Sequence, residues 1–142
     1  MQAAPGAGNG EGRAPLILLI EGDVDERAHH GAYLLSAGFR VAEAMTGIEA
    51  VERAAALLPD LILMDVSARD VGGCEAIRRL KSARQTGRIP ILALATQTFE
   101  ARQALEAGGD GVVGVSSPAV SLVARVRRLL RGGGARVRPG TC

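Results

Sequence analysis

Aromatic side chains are nearly absent: the 142-residue chain has no Trp, one Tyr and two Phe. A core of stacked rings is thereby excluded, and packing falls to Leu, Ile, Val and Ala, the mixture of a buried parallel sheet under helices. Cysteine is scarce as well. With only Cys74 and Cys142 there is no disulfide framework, and a reduced, cytoplasmic setting is expected. No long hydrophobic run occurs. The longest near the N-terminus, Pro15 to Ile20, falls far short of the roughly 20 apolar residues that a membrane helix needs. Met1 to Arg13, rich in Gly and Ala, has no basic start before an apolar stretch and does not read as a secretory signal. Excess charge is lacking too. Lys and Arg number 17 against 15 Asp and Glu, a net charge of +2, too small to argue for nucleic acid unless the cations share a face. They gather only near the C-terminus, where Arg125, Arg127, Arg128, Arg131, Arg136 and Arg138 read as a solvated helix face and a loose tail rather than a DNA footprint.

What is present is 47% hydrophobic and 23% charged residues, the balance of a globular protein with length for one domain. Residues 1–14 read as a disordered tail, 15–131 as the domain and 132–142, opening on Gly132-Gly133-Gly134, as a flexible tail. Inside the domain short aliphatic runs alternate with amphipathic stretches, which predicts βα units around a parallel sheet. The strands are expected at Leu16–Ile20, Arg40–Ala44, Leu61–Met64, Ile91–Leu94 and Val112–Val115. The first, third and fourth are continuously apolar, as buried central strands should be, whereas the second is more polar and suits an edge. Helices are expected over about Val24–Ala37, Ile48–Leu58, Cys74–Ala83 and Phe99–Ala107, and from Pro118 onward after a Ser117 cap. In the second, Ile48, Val51, Ala55 and Leu58 recur at helical spacing. In the third, Ile77, Leu80 and Ala76 face inward while Arg78, Arg79 and Lys81 face water. Gly38 sits where a left-handed cap would close the first helix.

In an open parallel sheet, ligands bind beyond the carboxyl ends of the strands, where the strand order reverses. After strand one come Glu21-Gly22-Asp23, and after strand three comes Asp65. Two carboxylates from neighbouring strands would face each other there, a place for an oxygen-seeking cation such as Mg²⁺. From about Pro15 to Arg131 the sequence resembles the response-regulator receiver family of two-component signalling. The resemblance rests on Leu16 to Glu21 with Arg27 beyond it, on Ala44-Met45-Thr46-Gly47-Ile48-Glu49-Ala50, and most specifically on Pro59-Asp60-Leu61-Ile62-Leu63-Met64-Asp65-Val66, similar to the family's phosphoacceptor strand. Ile89-Pro90-Ile91 and Glu106-Ala107-Gly108-Gly109-Asp110-Gly111 match further along.

The resemblance implies a flavodoxin-like (βα)5 doubly wound sheet of strand order 2-1-3-4-5. It implies transfer of a phosphoryl group to Asp65 from a histidine kinase or a histidine phosphotransfer protein, with Mg²⁺ held by Asp65, the backbone carbonyl of Ser67 and the acid after strand one, Glu21. Such a module signals by protein contact and is not itself an enzyme. The face of helix four, strand five and helix five would meet a downstream partner, and helix one would meet the phosphodonor. Without an output domain after the fifth helix, no direct nucleic-acid binding is expected, nor any membrane contact.

Several functional positions of the family are changed. The second acid after strand one is Gly22, which supplies no ligand. Asp23 is a possible ligand beside it, though as the residue before helix one it more simply serves as a cap. The hydroxyl residue ending strand four is Ala95, with Thr96 adjacent. The lysine after strand five is Val115, the proline after it Ser116, and the aromatic switch position is Val112. In the loop after Asp65, Arg69 replaces a proline and Gly72 a common acid. Glu21 and Asp65 alone remain of the functional set, which leaves two expectations: a weakened phosphoacceptor, or a pseudo-receiver that docks without phosphotransfer. A flavin or nucleotide site on this fold is set aside, because Glu21 to Glu26 is acidic and would repel phosphate. His29-His30 are read as surface histidines and Cys74 as a small helix residue.

Overall fold

The computed structural model describes residues 13–66 and 72–132. The elements are β1 (Leu16–Ile20), α1 (Val24–Ser36), β2 (Arg40–Ala44), α2 (Gly47–Leu57), β3 (Leu61–Asp65), α3 (Gly73–Ser82), β4 (Ile91–Ala95), α4 (Thr98–Glu106), β5 (Gly111–Gly114) and α5 (Ala119–Leu130). All neighbouring strands pair in parallel in the order β2-β1-β3-β4-β5. The doubly wound sheet expected from the sequence is therefore present, with element ends displaced by a residue or so.

The aliphatic runs become central strands because every side chain in them has a layer to enter. Alternate residues point to opposite faces of a strand. Leu18, Ile20, Ile62, Met64, Ile91 and Ala93 enter one cluster together with Ala50, Ala54, Ile77, Leu80 and Ala104 of α2, α3 and α4. Ile17, Leu19, Leu61, Leu63, Leu92 and Leu94 enter the other, beneath Leu34 of α1 and Leu122 and Val126 of α5. The polar strand β2 lies at an edge, as its composition suggested, and only Ala44 in it is buried.

Local signals set the helix ends. Asp23 caps α1, its Oδ1 accepting the N–H groups of Asp25 and Glu26 at 2.9 Å each, and Gly38 takes a φ of +98° just past its end. Thr46 caps α2 through the Glu49 N–H at 3.1 Å. Before α4, Glu100 Oε1 accepts the N–H groups of Thr96 and Gln97 at 2.9 Å each. At α5 the expectation of a Ser117 cap fails. Pro118 occupies the N-cap position with an extended ψ of 151° and makes no side-chain cap bond.

The apolar stripe expected on α2 holds only at Val51, which packs half-buried against the core, while Ala55 is exposed. Ile48 and Leu58 are 71% and 53% exposed, and the buried face is Gly47, Ala50 and Ala54. The reason is close approach: a Cβ on Gly47 would stand 2.6 Å from the Gly72 carbonyl oxygen and 3.2 Å from Ala76 Cβ. Only small residues fit at the closest approach of α2 to α3, so Ile48 and Leu58 turn outward.

Lys81 does not simply face water. Its ammonium donates to Ile89 O at 3.0 Å and to Asp110 Oδ2 at 2.9 Å, and the same carboxylate oxygen accepts the Ile91 N–H at 2.9 Å. Asp110 thus ties α3 to the start of β4. Asp110→Ala is expected to cost about 1–3 kcal/mol, because it leaves the Ile91 N–H without its acceptor, whereas Asp110→Asn keeps an acceptor and recovers part of the loss. Urea unfolding of the two variants checks this, and equal midpoints for wild type and Asp110→Ala would show the contact to be idle.

Candidate functional site

Ile20 pairs with Met64 in the sheet, so the next residue on each strand, Glu21 and Asp65, emerges side by side at the carboxyl end. Both belong to the alternation of Leu19 and Leu63, which places their side chains on the same face. Glu21 is 1% and Asp65 7% exposed. Two acids share one buried corner.

Electrostatics there favours a bound proton or cation. The Glu21 carboxyl is pushed up to about 8, first by burial, then by its hydrogen bond to the Asp65 carboxyl and the negative charge of that group. A proton or a cation placed between the two acids would relieve their mutual repulsion. The Asp23 N–H donates to Glu21 Oε2 at 3.2 Å, but Glu21 Oε1 is buried without a hydrogen-bond donor. An orphaned carboxylate oxygen beside a second carboxyl is a donor set for a hard divalent cation. Mg²⁺ commonly takes one or two carboxylates and keeps several waters, so the residues present fit it. Among the described residues no group of three or more His, Cys, Asp or Glu side chains forms a metal cluster.

The remaining positions singled out in the sequence take separate places in the fold. Gly22 is exposed, and a Cβ on it would lie 3.3 Å from Met45 O. The Asp23 side chain serves as the cap of α1; of its two possible roles the structure displays capping. Ala95 is the last residue of β4 and is buried, and Thr96 lies just past the strand, exposed. Val112 packs against the layer beneath α2, α3 and α4, while Val115 packs beneath α1 and α5, its N–H donating to Ala95 O at 2.9 Å. Ser67 and Arg69 lie outside the described residues, as do Arg136, Arg138, Cys142 and most of both tails.

Sequence reasoning left Glu43 without a role and quoted Arg27 without giving it one. Arg27 Nη1 donates to the Glu21 carbonyl at 2.9 Å, and Arg27 Nε stands 3.6 Å from Glu43 Oε1. No spacing rule connects Arg27 to Glu43, since the pair forms only when α1 lies across β2. His30 is corrected as well. It is 4% exposed, not a surface residue, with Nδ1 3.9 Å from Glu26 Oε1. His29 alone is exposed, and its Nε2 meets the Tyr33 hydroxyl at 3.0 Å. Burial pushes the Cys74 thiol up, which fits a plain packing residue rather than a reactive one.

The family model for the response regulator receiver domain matches residues 17–127. The chain is 36% identical over 119 residues to the probable transcriptional regulatory protein SilR of Salmonella typhimurium, covering 82% of this chain and 51% of that protein. It is 34% identical over 118 residues to hybrid signal transduction histidine kinase D of Dictyostelium discoideum, covering 82% of this chain and 8% of that one. The chain thus spans about half or less of these relatives. Among solved structures, the receiver domain of sensor histidine kinase PA1611 from Pseudomonas aeruginosa, which has a magnesium ion coordinated in its active-site cleft, superposes with a TM-score of 0.79 at 27% identity, covering 84% of this chain and 100% of that one. A response regulator structure from Chloroflexus aurantiacus shares the fold, with a TM-score of 0.80 at 24% identity and coverage of 84% and 100%.

Proposed function

This chain belongs to the response regulator receiver domain family, and we propose on that premise that Asp65 accepts a phosphoryl group from a histidine kinase or a histidine phosphotransfer protein. The observation that carries the reading is the buried pair of Glu21 and Asp65 at the ends of β1 and β3, with Glu21 Oε1 lacking a donor. In the transfer, the Asp65 carboxylate forms a phosphorus–oxygen bond as the phosphorus–nitrogen bond of the donor's phosphohistidine breaks, and the imidazole leaves with the electron pair and takes up a proton. Asp65, Glu21 and the Ser67 carbonyl would hold Mg²⁺, as a cleft holds magnesium in the Pseudomonas receiver. When bound, the ion neutralises charge on the transferring group. This chain's own residues place the nucleophile: β3 fixes Asp65, and burial keeps competing water away.

Transfer is weakened here. Gly22 offers no second acid after β1, Ala95 no hydroxyl and Val115 no ammonium, so the aspartyl phosphate has fewer groups to compensate it. An open groove of about 360 Å³ between α1 and α5, lined by Tyr33, Ala37, Val120, Val123 and Arg127 among others, offers an apolar seat for the phosphodonor. Output passes through protein contact on the face of α4, β5 and α5, where α4 exposes Phe99 and Leu105. A cytoplasmic location belongs to this proposal; among the described residues no helix is long and apolar enough to cross a membrane.

The three losses at Gly22, Ala95 and Val115 favour one other reading, a pseudo-receiver that docks independently of phosphorylation. Incubation with Mg²⁺ and acetyl phosphate, followed by intact mass measurement, separates the two. The proposal expects one phosphoryl group gained by the wild type and none by Asp65→Asn. No gain in the wild type, with an active cognate kinase also failing to label it, would leave the docking reading.

A further inference from the structure

The geometry points to Arg27 as the residue that positions Glu21, through a closed ring between the Glu21 main chain and the first turn of α1. Arg27 Nη1 donates to the Glu21 carbonyl at 2.9 Å. The Arg27 backbone N–H donates to Asp23 O at 2.9 Å, and the Asp23 N–H donates in turn to Glu21 Oε2 at 3.2 Å. One helix turn therefore grips Glu21 at two points, its backbone carbonyl and its side chain. The Asp23 carboxylate locks that turn by accepting the Asp25 and Glu26 N–H groups. At the other end, the Glu21 N–H donates to Ala44 O at 3.0 Å.

Glu43 completes the arrangement from β2. Its Oε1 lies 3.6 Å from Arg27 Nε, with side-chain exposures of 51% for Glu43 and 15% for Arg27. The guanidinium is thus held between a carboxylate on the edge strand and the carbonyl that ends β1, and its planar fork spans both at once. Lysine could reach one of the two but presents no such fork.

Arg27 matters because of what is missing beside Glu21. With Gly22 next in the chain and the Asp23 side chain engaged as a cap, Glu21 is the one carboxylate that the β1 end turns toward Asp65. A loop with two inward acids tolerates some drift in either. A loop with one does not, and its carboxylate must be set by the backbone that carries it. Arg27 is accordingly a positioning residue: it acts through Glu21 and touches neither metal nor phosphate. This inference rests on the reading of Glu21 and Asp65 as a magnesium and phosphoryl site, and its decisive measurement is made without either ligand.

The experiment compares Arg27→Ala, Arg27→Lys and Glu43→Gln with the wild type, as the full chain. Amide hydrogen exchange in EDTA reads the Asp23 N–H, which reports the bond to Glu21 Oε2. Arg27→Ala is expected to speed exchange at Asp23 about tenfold while Met64 and Leu92, in the central strands, stay protected; Arg27→Lys recovers part of the loss. Magnesium titration by calorimetry is expected to show about tenfold weaker binding in Arg27→Ala, and acetyl phosphate labelling that regains the wild-type rate once Mg²⁺ saturates. A merely structural role would not give that recovery. If Arg27→Ala fails to fold, Glu43→Gln, altered at a half-exposed side chain, carries the test with an expected threefold change at Asp23. Unchanged Asp23 exchange in folded variants overturns the inference. Altered exchange together with no magnesium binding by the wild type upholds the positioning and removes the magnesium reading instead.

Discussion

In the absence of divalent cations, the melting temperature of this protein is expected to fall as pH rises from 5 to 8, by about 10 °C. The cause is Glu21. An unfolded glutamate titrates near 4.5, whereas burial and the adjacent Asp65 push the folded one up to about 8. Between those values the folded chain binds a proton that the unfolded chain has released, so stability declines with pH across the window and is fully retained only below it. The full difference sets an upper bound of about 5 kcal/mol, since one pKa unit corresponds to roughly 1.4 kcal/mol; about three quarters of that is lost between pH 5 and 8, and at about 3 °C per kcal/mol it gives the stated shift. Glu21→Gln, which cannot ionise, should flatten the profile and be the more stable protein at pH 8 in EDTA. Added Mg²⁺ should raise the melting temperature most at high pH, where the cation meets a carboxylate free of its proton. A melting temperature that climbs from pH 5 to 8 in EDTA would contradict the raised pKa of Glu21 in the buried pair.

Gly22→Asp together with Val115→Lys is expected to raise the rate of acetyl phosphate labelling of Asp65 by about a hundredfold at limiting Mg²⁺. The two changes act on different terms. An acid at position 22 adds a ligand beside Glu21, for which about tenfold in affinity, or roughly 1.4 kcal/mol, is a modest expectation. Its Cβ would meet Met45 O at 3.3 Å, so the β2–α2 loop must give slightly, and that exposed loop has room to do so. Lysine at 115 adds a cation for the phosphoryl oxygens. Donors of that kind are worth about a hundredfold or more where they have been removed from other sites, so tenfold for an unoptimised addition is conservative. Its methylene stem can lie on the apolar surface that Val115 covers. Single variants should show the two contributions separately, Gly22→Asp vanishing at saturating Mg²⁺ and Val115→Lys persisting. A double variant no faster than the wild type would mean that neither loss limits the site.

The sheet was legible in the sequence because its strands are written in side chains with one simple preference. Leu16–Ile20, Leu61–Met64 and Ile91–Leu94 are apolar at every position, and only a strand covered on both faces uses such a run. Asp65 was legible from its place just after a central strand, where an open parallel sheet binds its ligands, and from the resemblance carried by Pro59 to Val66. The α2 face was not. Hydrophobic spacing scores Ile48 and Leu58 above Gly47 and Ala50, while the contact with α3 selects for smallness, which the spacing cannot weigh. His30 escaped because consecutive helical residues lie about 100° apart, so one of a pair can be buried while the other is wet. The raised pKa of Glu21 beside Asp65, and the reach of Arg27 to Glu43, depend on distances across the sheet and have no imprint along the chain.

The strand order has a consequence for the protein while it is being made. β1 is central, yet its partner β3 lies far downstream; the Leu16 N–H finds its acceptor, Asp60 Oδ2, across a separation of 44 residues. At about 5–20 residues per second, a translating ribosome takes roughly 2–9 s to add that stretch. For those seconds the Leu-Ile-Leu-Leu-Ile segment is uncharged, rich in β-forming residues and able to pair only with polar β2, the composition of an aggregation-prone window. Nascent-chain yield should therefore depend on how quickly β3 follows, so that slowing codons placed between α2 and β3 would lower soluble expression while leaving the finished molecule unchanged.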